Sequence, residues 1–160
     1  ILVLHGWGAS AHDLIGLAPV LNRGEALVLS PQGPVVLRIP GGPLGYGWYP
    51  LGEGIQASPE EFARASEQVL AFLDAARESY PIDPRKIVLL GFSQGGYLAS
   101  VSALREPARY RGLVAIATRV KTEMLVAELA RAQGYPALLL HGARDHEVLQ
   151  RRADHREHNP

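Results

Sequence analysis

Short apolar runs alternate along the chain with stretches whose apolar residues recur every three or four positions. The runs predict buried strands at residues 1–4, 26–29, 87–90, 113–117 and 137–140. The clearest helix start is at Ser58, a capping serine followed by Pro59 and Glu61, and an apolar face then continues to Ala76. Buried strands that alternate with amphipathic helices predict an α/β fold, with a mainly parallel sheet and helices on both faces.

The segments between the strands carry weaker signals. Ser10, with Asp13 three residues later, predicts the start of a helix that ends at residues 22–24. Thr122 predicts the cap of another helix, which continues to residue 131. Residues 30–57 are rich in proline and glycine and have no clear period, so they predict one long loop.

The composition is that of an ordinary globular domain. The chain has 160 residues, of which 47% are hydrophobic and 20% charged, and this predicts a single domain over 1–160 with a divergent tail at 149–160. A formal net charge of zero argues against a nucleic-acid-binding surface. The lack of cysteine excludes disulfides and thiol catalysis. No apolar run approaches the roughly 20 residues of a membrane span and no signal peptide is visible, so we expect a cytoplasmic protein.

The strongest chemical signal is the motif G-x-S-x-G, formed by Gly91, Ser93 and Gly95. An apolar run leads into it and a segment compatible with helix, residues 97–104, leads out of it. This context of strand, sharp turn and helix is typical of a nucleophile elbow, in which a serine hydroxyl projects clear of the sheet. The alternative is a glycine-rich connection without chemistry. We favour the elbow and predict that Ser93 is the nucleophile.

Three loops follow strands and are expected to meet at one edge of a parallel sheet: residues 5–9, 93–95 and 141–145. A serine nucleophile needs a base oriented by a carboxylate, and Asp145 follows it in the chain order that this architecture requires. Asp145 could otherwise be a loop or capping residue. Two main-chain amides are needed for the oxyanion, and we predict the N–H groups of Gln94 and Trp7. The alternative for the turn before Trp7 is a structural role alone.

Several short segments occur together in one order: LHGWGA at 4–9, SPQG at 30–33, GWY at 47–49, DPRKI at 83–87, GFSQGG at 91–96 and HGARD at 141–145. In these segments the chain resembles the phospholipase/carboxylesterase family of α/β-hydrolases, which includes acyl-protein thioesterases. The resemblance implies an α/β-hydrolase fold in which Ser93 and Asp145 are catalytic and Trp7 and Gln94 donate to the oxyanion. It also implies that residues 46–51 border an acyl pocket, although Trp48 and Tyr49 could equally be core aromatics.

The chain departs from the family at both ends. Residue 1 already lies in a predicted strand, so we expect a fold that is incomplete at both ends, either as a fragment of a longer protein or as a truncated gene product. The family's triad histidine follows another helix and strand, whereas only 15 residues follow Asp145. His155 and His158 are the candidates for the base, unless it is absent from this chain. A metal site built from His141, Asp145, His146, His155 and His158 matches no recognised spacing, so we expect no metal and no cofactor.

Two functions remain open on the sequence. The first is a serine esterase that cleaves short or medium acyl esters or thioesters of small molecules through an acyl-enzyme. The second is an α/β-hydrolase-like binding module that lacks the triad histidine. The sequence does not indicate the oligomeric state.

Overall fold

The computed structural model describes residues 1–38, 41–52, 57–118, 120 and 125–144. The described strands are β1 (Leu2–Leu4), β2 (Val35–Arg38), β3 (Leu44–Gly47), β4 (Val88–Phe92), β5 (Gly112–Ile116) and β6 (Ala137–Leu140). The described helices are α1 (His12–Ile15), α2 (Pro59–Ser79), α3 (Gln94–Arg105) and α4 (Val126–Arg131), with 3₁₀ turns at Leu21–Gly24 and Pro84–Lys86.

Four of the strands form a parallel sheet in the order β1-β4-β5-β6. Leu2 pairs with Leu89, Leu89 with Leu113, and Leu113 with Ala137, so these residues lie in one row across the sheet. Because side chains alternate between the two faces of a strand, this row points to one face. Leu2, Leu89 and Leu113 belong to the same buried cluster as apolar residues of α2 and α3, which therefore cover that face.

Strand β6 is exposed along its length, and the face opposite the helices is only partly covered at β4 and β5. Phe92, Leu138 and Leu140 expose 41%, 51% and 43% of their surfaces, and Val114 and Ile116 are half-buried. Helix α1 packs beside β1. No helix within the described ranges is long and apolar enough to cross a membrane.

Helix α2 begins as its sequence predicts. The Glu61 N–H donates to the Ser58 hydroxyl at 3.1 Å, and the Ser58 N–H donates to the Glu61 carboxylate at 2.8 Å. This capping box pairs two main-chain groups that would otherwise lack partners at the helix start. The predicted apolar face is confirmed except at Phe72, which exposes 37% of its surface. The buried residues of the helix are Phe62, Ala65, Val69, Leu73 and Ala76.

The predicted helix at residues 10–24 is wrong in length, and the strand at 26–29 does not form. Helix α1 has a single turn of four residues, and the Ser10 hydroxyl accepts from the His12 N–H rather than forming a box with Asp13. Asn22 and Arg23 have positive φ values of 47° and 58°, which no regular helix can contain. Leu29 forms an isolated bridge to Leu2, and the Leu27 carbonyl accepts from the N-terminal ammonium of Ile1 at 2.7 Å.

The prediction of one long loop over residues 30–57 is also wrong. This segment contains an antiparallel hairpin in which β2 pairs with β3, with Val36 opposite Tyr46. Glycines and prolines within and around the hairpin hide the two-residue period from a reading of the sequence. The Thr122 cap lies outside the described residues, and the following helix α4 begins after Leu125.

Candidate active site

Ser93 occupies a sharp turn between β4 and α3, at the carboxyl end of the central part of the sheet. Its φ of 51° and ψ of −116° lie in a region that residues with a side chain rarely adopt. The turn is held by the Ser93 N–H, which donates to the Ile116 carbonyl at 2.9 Å, and by the Tyr97 N–H, which donates to the Ser93 carbonyl at 3.0 Å. Ser93 is half-buried, so its side chain remains accessible.

Close approach of main chains explains the glycines of this turn. A Cβ at Gly91 would overlap the main chain of Gly95 and lie 2.6 Å from the Gly96 Cα. A Cβ at Gly95 would overlap the carbonyl oxygen of Leu4 at the end of β1. Glycine is therefore required for β1, β4 and the start of α3 to pack this closely, as the elbow prediction expects.

The loop after β1 lies against the serine. A Cβ on Gly6 would be 3.4 Å from the Ser93 Cβ, so the main chain that leads into Trp7 borders the turn. None of the hydrogen bonds between described residues uses the Trp7 N–H. As the first residue of α3, Gln94 has no partner within the helix for its own N–H.

His5 is fully buried beneath this loop and is held in one tautomer. Its Nε2 accepts from the Gly33 N–H at 3.0 Å and lies 3.2 Å from the Gln32 side-chain nitrogen. Nδ1 therefore carries the proton and donates to the Gly6 carbonyl at 2.8 Å. Burial lowers the pKa of His5, mainly through loss of solvation of the imidazolium. Both ring nitrogens are occupied, so His5 is a structural group rather than a base for Ser93.

The Gln94 side chain makes contacts that the sequence analysis missed. Its Oε1 accepts from the Trp48 N–H at 2.9 Å, and its Nε2 donates to the Tyr49 carbonyl at 2.7 Å. The carboxamide thus pairs with the chain after β3 as a strand would. The motif gave no hint of these contacts, because the sequence analysis assigned a role only to the main-chain N–H of Gln94.

The structure places Trp48 and Tyr49 in the core. Both are buried, the Trp48 indole N–H donates to the His5 carbonyl at 2.8 Å, and the Trp48 ring lies 5.0 Å from the His5 ring. Tyr49 continues the packing to Phe62 at a ring distance of 5.3 Å. Of the two roles that the sequence left open for these aromatics, the structure therefore favours core packing.

Asp145 lies outside the described residues, as do His146, His155, His158 and the tail at 149–160. The strand that leads to Asp145 is described. Leu140, at the end of β6, pairs with Ile116, whose carbonyl accepts from the Ser93 N–H. The chain therefore leaves β6 at the same edge of the sheet as Ser93, two strand spacings or about 10 Å away. Within the described ranges no imidazole is hydrogen-bonded to Ser93, and no cluster of three metal-binding side chains occurs.

A parallel sheet with a serine on a strained strand-to-helix turn defines an α/β-hydrolase. A family profile described as phospholipase/carboxylesterase matches residues 1–155. The chain therefore belongs to the phospholipase/carboxylesterase family, and membership supports ester hydrolase activity.

Solved structures agree with this assignment. Esterase PE8 is 28% identical with a TM-score of 0.65, and the match covers 88% of this chain and 66% of that one. A carboxylesterase of Bacillus cereus is 24% identical with a TM-score of 0.66, covering 89% and 77%. Arabidopsis thaliana SOBER1 is 21% identical with a TM-score of 0.62, covering 89% and 73%. The last two similarities support the fold alone. The chain thus spans about two thirds to three quarters of the length of these proteins.

Proposed function

We propose that this chain is a serine esterase that hydrolyses short or medium acyl esters or thioesters of small molecules. Ser93 is the nucleophile, the N–H groups of Trp7 and Gln94 receive the oxyanion, and Asp145 orients the base. The base is a histidine from the part of the chain that the structure does not describe, with His155 and His158 as candidates. No cofactor takes part in this scheme.

The reaction follows from these roles. The Ser93 hydroxyl attacks the acyl carbonyl while the imidazole takes its proton, and the negative charge on the carbonyl oxygen is stabilised by the two N–H groups. Collapse of the intermediate breaks the ester or thioester bond, and the imidazole returns its proton to the leaving alcohol or thiol. Water then attacks the acyl-enzyme by the same route, releasing a carboxylic acid and free Ser93.

The observation that carries the proposal is the backbone of Ser93, with its positive φ at the carboxyl end of β4. Such strain persists only where the surrounding structure imposes it, and it is concentrated at functional sites. Two neighbouring features add support. The Gly6 main chain lies against Ser93, and the N–H groups of Trp7 and Gln94 have no partner among the described residues.

Labelling with a fluorophosphonate probe tests the nucleophile directly. We expect covalent labelling of the folded protein and turnover of p-nitrophenyl butyrate, with both abolished by Ser93→Ala. Ser79→Ala is the matched control, because Ser79 is exposed at the end of α2, and it should leave both unchanged. Folded protein that neither labels nor turns over ester between pH 6 and 9 would refute the esterase and favour the binding module.

The base can be assigned by two further variants. If His155 or His158 is the base, changing it to alanine should lower kcat by at least 10²-fold, the scale expected for loss of general base catalysis. The other histidine should then be dispensable. Full activity in both single variants and in the double variant would exclude these two residues.

A further inference from the structure

Residues 46–49, which we call the bridging segment, leave the end of β3 and run past the loop after β1. Tyr46 exchanges two main-chain hydrogen bonds with this loop. Its N–H donates to the Ala9 carbonyl at 2.8 Å, and its carbonyl accepts from the Gly8 N–H at 2.9 Å. The segment is thereby fixed to the loop that carries Trp7, one of the two proposed oxyanion donors.

The other end of the bridging segment is fixed to Gln94. The Gln94 carboxamide accepts from the Trp48 N–H and donates to the Tyr49 carbonyl, at 2.9 and 2.7 Å. Gln94 is only 5% exposed, and both aromatic residues are buried. Removal of the carboxamide would therefore take two hydrogen bonds away from buried main-chain groups of the bridging segment and weaken its attachment to α3.

Gly47, in the middle of the segment, lies against both the Trp7 ring and the Gln94 side chain. A Cβ at this position would overlap the Trp7 indole ring and would lie 3.2 Å from the Gln94 Oε1. The Trp7 ring and the Gln94 side chain thus pack against the same glycine. Each of these side chains belongs to a residue whose main-chain N–H is a proposed oxyanion donor, and the two residues are far apart in sequence.

We infer that the Gln94 carboxamide and the bridging segment form a positioning element, which sets the separation and direction of the Trp7 and Gln94 N–H groups. The inference rests on the proposed function, since it assigns a task to groups around that site. It gives Gln94 two roles. The main-chain N–H meets the oxyanion, whereas the side chain acts on the Trp7 donor through residues 46–49.

The first test replaces Gln94 by methionine, which keeps the approximate size of the side chain and removes both hydrogen bonds. Misplacement of an oxyanion donor acts on the transition state more than on substrate binding. We expect kcat to fall by about 10- to 100-fold, with KM changed by less than about threefold. Gln68→Met is the matched control, because Gln68 is exposed on α2, and it should leave kcat unchanged.

A second readout does not depend on turnover. Trp7 and Trp48 are the two tryptophans of the chain: the Trp7 ring packs against Gly47 of the positioning element, and Trp48 belongs to it. We expect Gln94→Met to raise quenching of tryptophan fluorescence by acrylamide, whereas Gln68→Met leaves it unchanged. Quenching at the wild-type level in Gln94→Met would contradict the inference, since the segment would then be held without the carboxamide.

Gln94→Glu separates positioning from a general loss of stability. A neutral carboxylic acid can still donate to the Tyr49 carbonyl, whereas a carboxylate would repel it. Burial beside this carbonyl should raise the pKa of the new carboxyl above its usual value near 4.3. Among the described residues, the ionisable groups recorded around this position are the Tyr49 hydroxyl, 3.5 Å from the Gln94 carbonyl oxygen, and the His5 imidazole, whose ring lies 5.0 Å from the Trp48 ring. The ratio of variant to wild-type kcat should fall as pH rises from 5 to 8. The same ratio for Gln68→Glu should stay flat.

Gly47→Ala tests the segment itself, since the added methyl would push the Trp7 ring away. We expect kcat to fall at least tenfold. Gly16→Ala is the control. Gly16 has an ordinary helical backbone, and no atom lies within 4 Å of the methyl group that alanine would add.

The outcomes distinguish the inference from the function on which it rests. Wild-type protein that labels at Ser93 and turns over ester, with kcat in Gln94→Met and Gly47→Ala within twofold of wild type, overturns the inference alone. Equal losses in the Gln94 and Gln68 variants would also overturn it. Wild-type protein that neither labels nor turns over ester overturns the proposed function and this inference together.

Discussion

The backbone conformation of Ser93 predicts that glycine at this position would give a more stable folded protein than a residue with a Cβ. At φ 51° and ψ −116°, any side chain with a Cβ is strained, whereas glycine is not. Ser93→Gly and Ser93→Ala both remove the hydroxyl. The difference between these two variants therefore isolates the effect of the Cβ on the turn.

The magnitude follows from two opposing effects. A residue held in a sparsely populated region of this kind costs about 1–3 kcal/mol. Glycine loses more conformational freedom than alanine on folding, which offsets about 0.5–1 kcal/mol of the relief. From the middle of each range, we therefore expect the free energy of unfolding of Ser93→Gly to exceed that of Ser93→Ala by about 1 kcal/mol. For a chain of this size, 1 kcal/mol corresponds to a shift of about 2–4 °C in Tm.

The assay is urea unfolding of the full chain, followed by tryptophan fluorescence and analysed by linear extrapolation. The exposed position Gln68, in the middle of α2, provides the control. There glycine should be less stable than alanine by about 1 kcal/mol, the opposite sign, because the backbone is helical. The reasoning is refuted if Ser93→Gly is no more stable than Ser93→Ala while the Gln68 pair shows its expected difference.

Three further variants test the packing around the site. Ser58→Ala removes the capping box of α2 and should lower the free energy of unfolding by about 1 kcal/mol in urea titrations. Leu89→Ala opens a cavity at a fully buried position of β4 and should cost about 3–5 kcal/mol in the same assay. Stability of the wild type should fall as pH drops below about 6.5, because the unfolded chain binds a proton that burial disfavours at His5 in the fold. His5→Gln, which can still accept from the Gly33 N–H, should reduce this slope.

A specific result would contradict each of these predictions. A Ser58→Ala variant as stable as wild type would mean that α2 starts without its cap, and a loss below 1 kcal/mol in Leu89→Ala would mean that the core refills the space. For His5, comparison with the wild type removes the contribution of the other histidines. An identical slope in His5→Gln would show that the buried imidazole does not cause the acid sensitivity.

The parts of the fold that could be read from the sequence are those whose causes are local. The capping box at Ser58 involves residues three apart, and the elbow at Ser93 involves a five-residue motif with apolar residues before it. The parallel strands could be recognised because each is a short, continuous apolar run. The hairpin at Val35–Arg38 and Leu44–Gly47 could not, since its second strand is interrupted by glycine and both strands are partly exposed.

In the candidate site, too, some residues could be selected from the sequence and others could not. Trp7, Ser93 and Gln94 could be selected from spacing and chain order, whereas the buried tautomer of His5 and the side-chain contacts of Gln94 depend on residues 27 to 46 positions away. Asp145 lies outside the described residues and stays a prediction, as does the histidine base.

By itself the sequence determined the four parallel strands, the long capped helix α2, the turn that raises Ser93, and the family to which the chain belongs. Those features depend on apolar period, caps and close-packed glycines, all of which act between near neighbours. Only the tertiary structure decided that residues 46–49 join the Trp7 loop to the Gln94 side chain, because hydrogen bonds and ring contacts between distant segments leave no periodic trace in the order of residues.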